Sequence, residues 1–180
     1  DSGGNSLTKD LEPGHTLSVK DLVSVLLVPS SNEAAEALAR HYGKKEFLDK
    51  MNAQAKEWGL INTNFVDPAG ISASNQSTIE DLTALVRHVY TDYPELFRLT
   101  RKKSVTVVET QSRTRRVFTN TNEFAGSANI LGGKTGYTPD ASGNLISLFQ
   151  YRTRPVLIIV LGTEDRFGAT KELWNWFTND

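Results

Sequence analysis

Near residue 100 the spacing of apolar side chains changes period, and that change limits the fold more than any other feature of the sequence. Before it the repeats are helical. Val19, Leu22, Val23, Leu26 and Leu27 form one broad face of the stretch 18–28, with Ser18 as its N-cap. Residues 32–42 read as a second helix stopped by Gly43. Residues 45–59 read as a third, with Phe47, Leu48, Met51, Ala55 and Trp58 at helical spacing before Gly59. After a polar loop over 61–77, containing Pro68 and Gly70, residues 77–90 form a helix opened by a Ser77/Glu80 capping box. Beyond residue 102 the period is two. Residues 104–110 and 115–122 alternate around a polar turn and make a hairpin; 144–152 and 154–162 make a second, tighter and more aliphatic one. A closing amphipathic helix, 169–177, turns Leu173, Trp176 and Phe177 toward a core. Helices, then antiparallel strands, then a helix predict an α+β fold in one domain over 1–180, with a helical lobe over about 16–100 and a sheet lobe over about 103–180.

Composition narrows what such a chain acts on. Apolar residues make up 38%, enough to bury a core. Lys and Arg number 20 against 21 Asp and Glu, a net charge of −1, so no nucleic acid or anionic membrane is implied as a partner. There is no cysteine, which removes disulfides and thiolate zinc sites and is compatible with an extracytoplasmic address. His15, His41 and His88 are scattered without ligand spacing, so no metal is expected. The longest apolar run, Val156 to Leu161, lies between Arg154-Pro155 and Gly162 and is far shorter than a bilayer span. No signal peptide is visible, so any export signal was removed or never belonged to this chain.

Two triplets carry the chemistry. Lys134-Thr135-Gly136 lies in "GGKTGYT", just before the second hairpin, where an edge strand is expected. There the ammonium supplies positive field, the Thr135 hydroxyl supplies a donor, and Gly136 removes a side chain where a substrate backbone must come close. An extended peptide could pair with that edge as an added strand. As plain structure the same residues are a Gly-rich turn with one solvated lysine. Ser30-Ser31-Asn32 follows Pro29 between two apolar helices, where a turn would present two polar side chains to a cleft; as plain structure it is an N-cap, with Asn32 capping the next helix. A Ser-x-Asn and a Lys-Thr-Gly about a hundred residues apart are two of the three motifs of penicillin-binding proteins and class A β-lactamases.

The text around them narrows the choice. "LVPSSNEAAEALA", "NTNFVDPAGISASNQSTIEDL", "FTNTNEF", "GGKTGYTPDASGNLIS" and "VLGTEDRFGATKELWNWF" together resemble the serine D-alanyl-D-alanine carboxypeptidases, the low-molecular-mass penicillin-binding proteins, over roughly residues 2–178. The loop "NTNFVDPAG…STIEDL" is the most specific stretch, and no counterpart of the deacylating Glu loop of class A β-lactamases is visible. The resemblance implies a β-lactamase/DD-peptidase-like fold. It implies acyl transfer on peptidoglycan stem peptides ending in D-Ala-D-Ala, binding of β-lactams, an address in the cell envelope, and no cofactor. It gives Ser30 the relay of a proton toward the leaving amine, Asn32 the orientation of the substrate amide, and Lys134 the field that keeps Ser30 poised. Thr135 and Arg166 would bind the terminal carboxylate, Gly136 would admit the substrate, and the Tyr137 N–H would be one oxyanion donor.

The third motif, Ser-x-x-Lys, is spelled by Ser6-Leu7-Thr8-Lys9, but Asp10-Leu11-Glu12-Pro13-Gly14 follows, through which no helix continues comfortably. Residues 3–32 instead resemble the family's segment leading into Ser-x-Asn, well downstream of the nucleophile. Ser6 is therefore read as a coincidence, and the nucleophile is expected upstream of this chain. The apolar faces of 18–28 and 144–162 would then lack partners and leave a hollow core. That predicts an upstream segment supplied by a longer protein, by a separate chain, or replaced through self-association. Two other classes stay open: a nucleophile-less peptidoglycan- or penicillin-binding pseudoenzyme, and a β-lactamase.

Overall fold

A computed structural model describes Leu11 and residues 14–179. The helical part comprises α1 (Val19–Leu27), α2 (Asn32–Tyr42), α3 (Lys44–Glu57), α4 (Ile79–Asp92) and α5 (Pro94–Thr100). Strands β1 (Ser104–Val108), β2 (Arg115–Thr119), β3 (Ile130–Thr138), β4 (Ser142–Tyr151) and β5 (Arg154–Thr163) follow, then α6 (Arg166–Asn179). Among the described residues no helix is long and apolar enough to cross a membrane.

Both expected hairpins form. β1 and β2 pair antiparallel from Ser104↔Thr119 to Val108↔Arg115, and β4 and β5 from Gly143↔Thr163 to Tyr151↔Arg154. β3 joins β4 antiparallel, giving the order β3-β4-β5 with β3 at an edge, as the placing of Lys134-Thr135-Gly136 predicts. The β1–β2 hairpin does not extend this sheet. Its Val105, Val107 and Phe118 pack instead with Val25, Val28 and Ala34 from the α1–α2 region. A second cluster, Ile130, Phe149, Ile158 and Val160, lies between the sheet and α6, whose Trp174 ring lies tilted against Phe149, centroids 4.7 Å apart.

Several local expectations are corrected. The buried residues of the α1 region are Val25 and Val28, while Val19 lies exposed, because the β1–β2 hairpin covers only the C-terminal half of the helix. The cap of α4 is Thr78, which accepts from the Asp81 N–H at 3.2 Å; the Ser77 hydroxyl is taken instead by Thr63, 2.8 Å away. α5 was not expected: Pro94 opens it at its first turn, and seven residues are too few for a period to show. α6 begins at Arg166, and Leu173, Trp176 and Phe177 face outward at 43%, 67% and 40% exposure, while Ala169, Thr170 and Trp174 turn inward. The Ser6–Lys9 reading falls outside the described residues.

Candidate active site

The turn after α1 sets the first arm of the site. Val28 ends the helix buried, its N–H bonded to the Ser24 carbonyl, and Pro29, also buried, forbids another helical turn. Ser30 then takes φ 63°, a left-handed conformation uncommon outside glycine. That twist separates two adjacent serines. Ser31 turns inward, where its N–H reaches the Val25 carbonyl at 3.1 Å and its hydroxyl caps α2 through the Ala34 N–H at 3.1 Å. Ser30 turns its hydroxyl outward. Asn32, expected as the cap, is the first residue of α2; its exposed side chain has no hydrogen bond among the described residues.

The second arm is β3. Lys134 reaches across and donates to the Ser30 hydroxyl, while a second proton goes to the Thr135 carbonyl at 2.7 Å. Burial, and then the nearby charge of Arg166, push this lysine down to a pKa of about 8. Thr135 is only 6% exposed, and its hydroxyl lies 2.6 Å from that of Thr121. Arg166, the first residue of α6, donates to the Gly136 carbonyl at 3.1 Å and lies 5.0 Å over the Phe167 ring. The Tyr137 side chain is exposed at 66%. Ser30, Lys134, Thr135, Gly136 and Arg166 are thus brought into one chain of contacts, along the β3 edge that no described strand pairs.

Gly136 and Gly133 differ in what constrains them. A Cβ on Gly136 would meet only the Asn144 Cβ, at 3.7 Å, an ordinary contact, so nothing in the chain itself demands glycine there. On Gly133 it would run into the Ile146 carbonyl oxygen and lie 3.0 Å from the Asn122 amide. The first leaves room beside β3; the second lies tight against β4.

A sequence profile described as D-alanyl-D-alanine carboxypeptidase matches residues 3–165. The chain belongs to this family. The D-alanyl-D-alanine endopeptidase of Escherichia coli K12 is 34% identical over 167 residues, covering 89% of this chain and 54% of that protein. The D-alanyl-D-alanine carboxypeptidase DacC of the same organism is 31% identical over 172 residues, covering 92% and 42%. Penicillin-binding protein D2 of Listeria monocytogenes, solved with cefotaxime bound, superposes with a TM-score of 0.77 at 30% identity over 91% of this chain and 72% of that one. The chain spans about half the length of the curated relatives it matches. The α+β, DD-peptidase-like architecture expected from the sequence is therefore the one observed.

In this D-alanyl-D-alanine carboxypeptidase family member, the segment 120–122 also serves the site, although its chemistry gave no reason to single it out. The Asn120 amide donates to the carbonyls of Thr100 and Lys102, each at 2.8 Å, and the Thr121 N–H donates to the Val28 carbonyl at 3.2 Å. The Asn122 N–H returns to the Asn120 side chain at 2.8 Å. Thr100, at the end of α5, accepts from the Gly133 N–H at 3.1 Å. Together these contacts tie the ends of α1 and α5 to β3. In the sequence the segment 120–122 was marked only by lying within "FTNTNEF", one of the stretches that carry the family resemblance.

Proposed function

We propose that the complete protein carrying this chain is a serine D-alanyl-D-alanine carboxypeptidase of the cell envelope. It would act on peptidoglycan stem peptides and be acylated by β-lactams. The observation that carries the reading is the Lys134 ammonium on the Ser30 hydroxyl, beside an open strand edge. Because Ser30 accepts from Lys134, its own proton is free to be donated to a leaving amine. The binding of cefotaxime by the Listeria relative supports the β-lactam part.

The nucleophile is a Ser-x-x-Lys serine outside the described residues. Apolar side chains of its segment would fill the cleft of about 230 Å³ lined by Leu27, Leu85, Val86, Val89, Phe97, Ile146 and Lys134. The serine gives its proton to the lysine of its own motif as its oxygen attacks the carbonyl of the penultimate D-alanine; the bond to the terminal D-alanine breaks, and its nitrogen takes that proton through Ser30. Water then cleaves the ester. Lys134 steadies Ser30 and the developing negative charge, and the Tyr137 N–H is one oxyanion donor. Thr135 and Arg166 bind the terminal carboxylate, and Asn32 holds the substrate amide. Incubating the complete protein with a pentapeptide ending in D-Ala-D-Ala and measuring released D-alanine tests this. No release, together with no penicillin adduct by intact mass, would reject it in favour of a pseudoenzyme.

A second reading, a D-alanyl-D-alanine endopeptidase, is favoured by the name of the E. coli relative at 34% identity. Splitting of cross-linked muropeptide dimers without D-alanine release from the pentapeptide would select it.

A further inference from the structure

We propose that Thr121 is a positioning residue for carboxylate recognition, acting through the hydroxyl of Thr135; this rests on the reading that Thr135 takes the carboxylate of the ligand. The two hydroxyls lie 2.6 Å apart, and neither has another hydrogen bond among the described residues. Each carries one proton and two acceptor sites, so either can donate to the other while the site is empty.

A carboxylate changes that symmetry. It accepts only, so Thr135 must turn its proton to the ligand, and the lone pair left facing Thr121 then requires a donor. Thr121 supplies one at no expense to another contact. The result is a directed chain, Thr121 O–H to Thr135 O–H to carboxylate, in which each bond polarises the next. No proton is transferred. Without the Thr121 hydroxyl, Thr135 keeps its freedom to rotate away, and at 6% exposure it gains no water in exchange.

The backbone of Thr121 makes it suited to this position. Its N–H is fixed on the Val28 carbonyl, two residues before Ser30, and its neighbour Asn120 is fixed on Thr100 and Lys102. One residue therefore sets the spacing between the Ser30 turn and β3 and the direction of the Thr135 proton. A ligand whose carboxylate is masked should not sense the second role.

The test uses the complete protein, with acylation by a labelled penicillin compared with acylation by its methyl ester. Thr121→Val should slow acylation by the free acid about tenfold, the loss of one buried hydroxyl–hydroxyl bond that supports the bond from Thr135 to the carboxylate. The ester rate should be unchanged, and Thr121→Ser should restore the free-acid rate to within about twofold, since it keeps the donor. Equal losses on acid and ester, or a Thr121→Ser protein as slow as Thr121→Val, would mean a merely structural role and overturn the proposal. Thr135→Val is measured alongside. If it slows the free acid while Thr121→Val does not, the positioning role fails and Thr135 keeps its own; if neither substitution matters, the carboxylate reading of Thr135 fails with it.

Discussion

The Lys134 ammonium donates to the Ser30 hydroxyl, joining residues 104 positions apart in the sequence. Both ends of that contact are held at a cost. Ser30 sits at φ 63°, and Lys134 is buried enough to pull its pKa down to about 8. A left-handed serine costs on the order of 1 kcal/mol, and a chain with no use for the contact would put glycine there and leave the lysine in water.

Replacing Lys134 tests the electrostatic part. In the complete protein Lys134→Ala should lower penicillin acylation by about 10²-fold or more while the fold persists, because one preorganised charge is removed from the acylation site. Stopped-flow acylation rates and circular dichroism measure both; a near-normal rate would mean that β3 is not the substrate strand. The pH dependence has a definite sign. Acylation should fall as pH rises through about 8, where the ammonium is lost. Stability should move the other way. The folded lysine titrates near 8 against 10.5 unfolded, so below pH 8 the fold bears the full cost of the buried charge. Between these values the unfolded chain binds more protons, and unfolding should become harder by up to ~3 kcal/mol. Denaturant melts at pH 7.5 and pH 10, set against Lys134→Ala, isolate the effect.

Asp67 contributes to acid stability. Burial by itself would raise its carboxyl, but the Ser72 N–H, the Asn75 amide and the Ile71 and Ala69 N–H groups outweigh burial and hold it at about 2. The folded value lies below the ordinary 3.8, so the contribution is complete above pH 3.8 and is lost as pH falls through about 2. Discounted for solvent screening it amounts to ~1–2 kcal/mol. Asp67→Asn should flatten that part of the acid melt. Asp67→Ala, which strands several N–H groups in the 66–75 loop, should destabilise at neutral pH by about 2 kcal/mol.

Most of the fold and half of the site could be read from the sequence, for different reasons. Ser30 and Lys134 were visible because their functional groups stand in short motifs, and the fold brings the two together. Thr121 was not, because its role arises only from where the chain places it, against Thr135 and Val28. α5 was too short for a periodic pattern, yet its last residue, Thr100, anchors the start of β3. In α6, apolar residues occur on several faces, so spacing could not choose between Trp174, which packs, and Trp176, which does not. The cap of α4 lay between two adjacent hydroxyl residues, and the choice was made by Thr63, 14 positions before Ser77.

Expressed by itself, the 180-residue chain should form no penicillin adduct, and intact-mass analysis after incubation with a labelled penicillin checks this; an adduct mapped to Ser6 would overturn the reading of Ser6 as a coincidence. The same protein should self-associate, because Leu161, Leu173, Trp176 and Phe177 are all at least 40% exposed at the β5–α6 side. Light scattering after size exclusion would show it, and a monodisperse monomer that unfolds cooperatively would contradict the expectation.

The two glycines flanking the Lys134-Thr135 pair offer the sharpest separation of structure from function. Gly133→Ala should destabilise by about 1–3 kcal/mol, because the added methyl meets the Ile146 carbonyl, a backbone atom that moves only if the β3–β4 pairing moves. Gly136→Ala should leave stability within about 0.5 kcal/mol, since its methyl finds only the Asn144 Cβ at 3.7 Å. If the substrate also lies over the face of β3 that Gly136 leaves bare, the added methyl meets it. Acylation should then drop about 10–100-fold, the penalty for displacing a reacting group by a fraction of a bond length or more. Thermal melts and acylation rates on both variants decide: a Gly136→Ala protein that melts normally and acylates normally would mean that the substrate does not lie over the Gly136 face of β3.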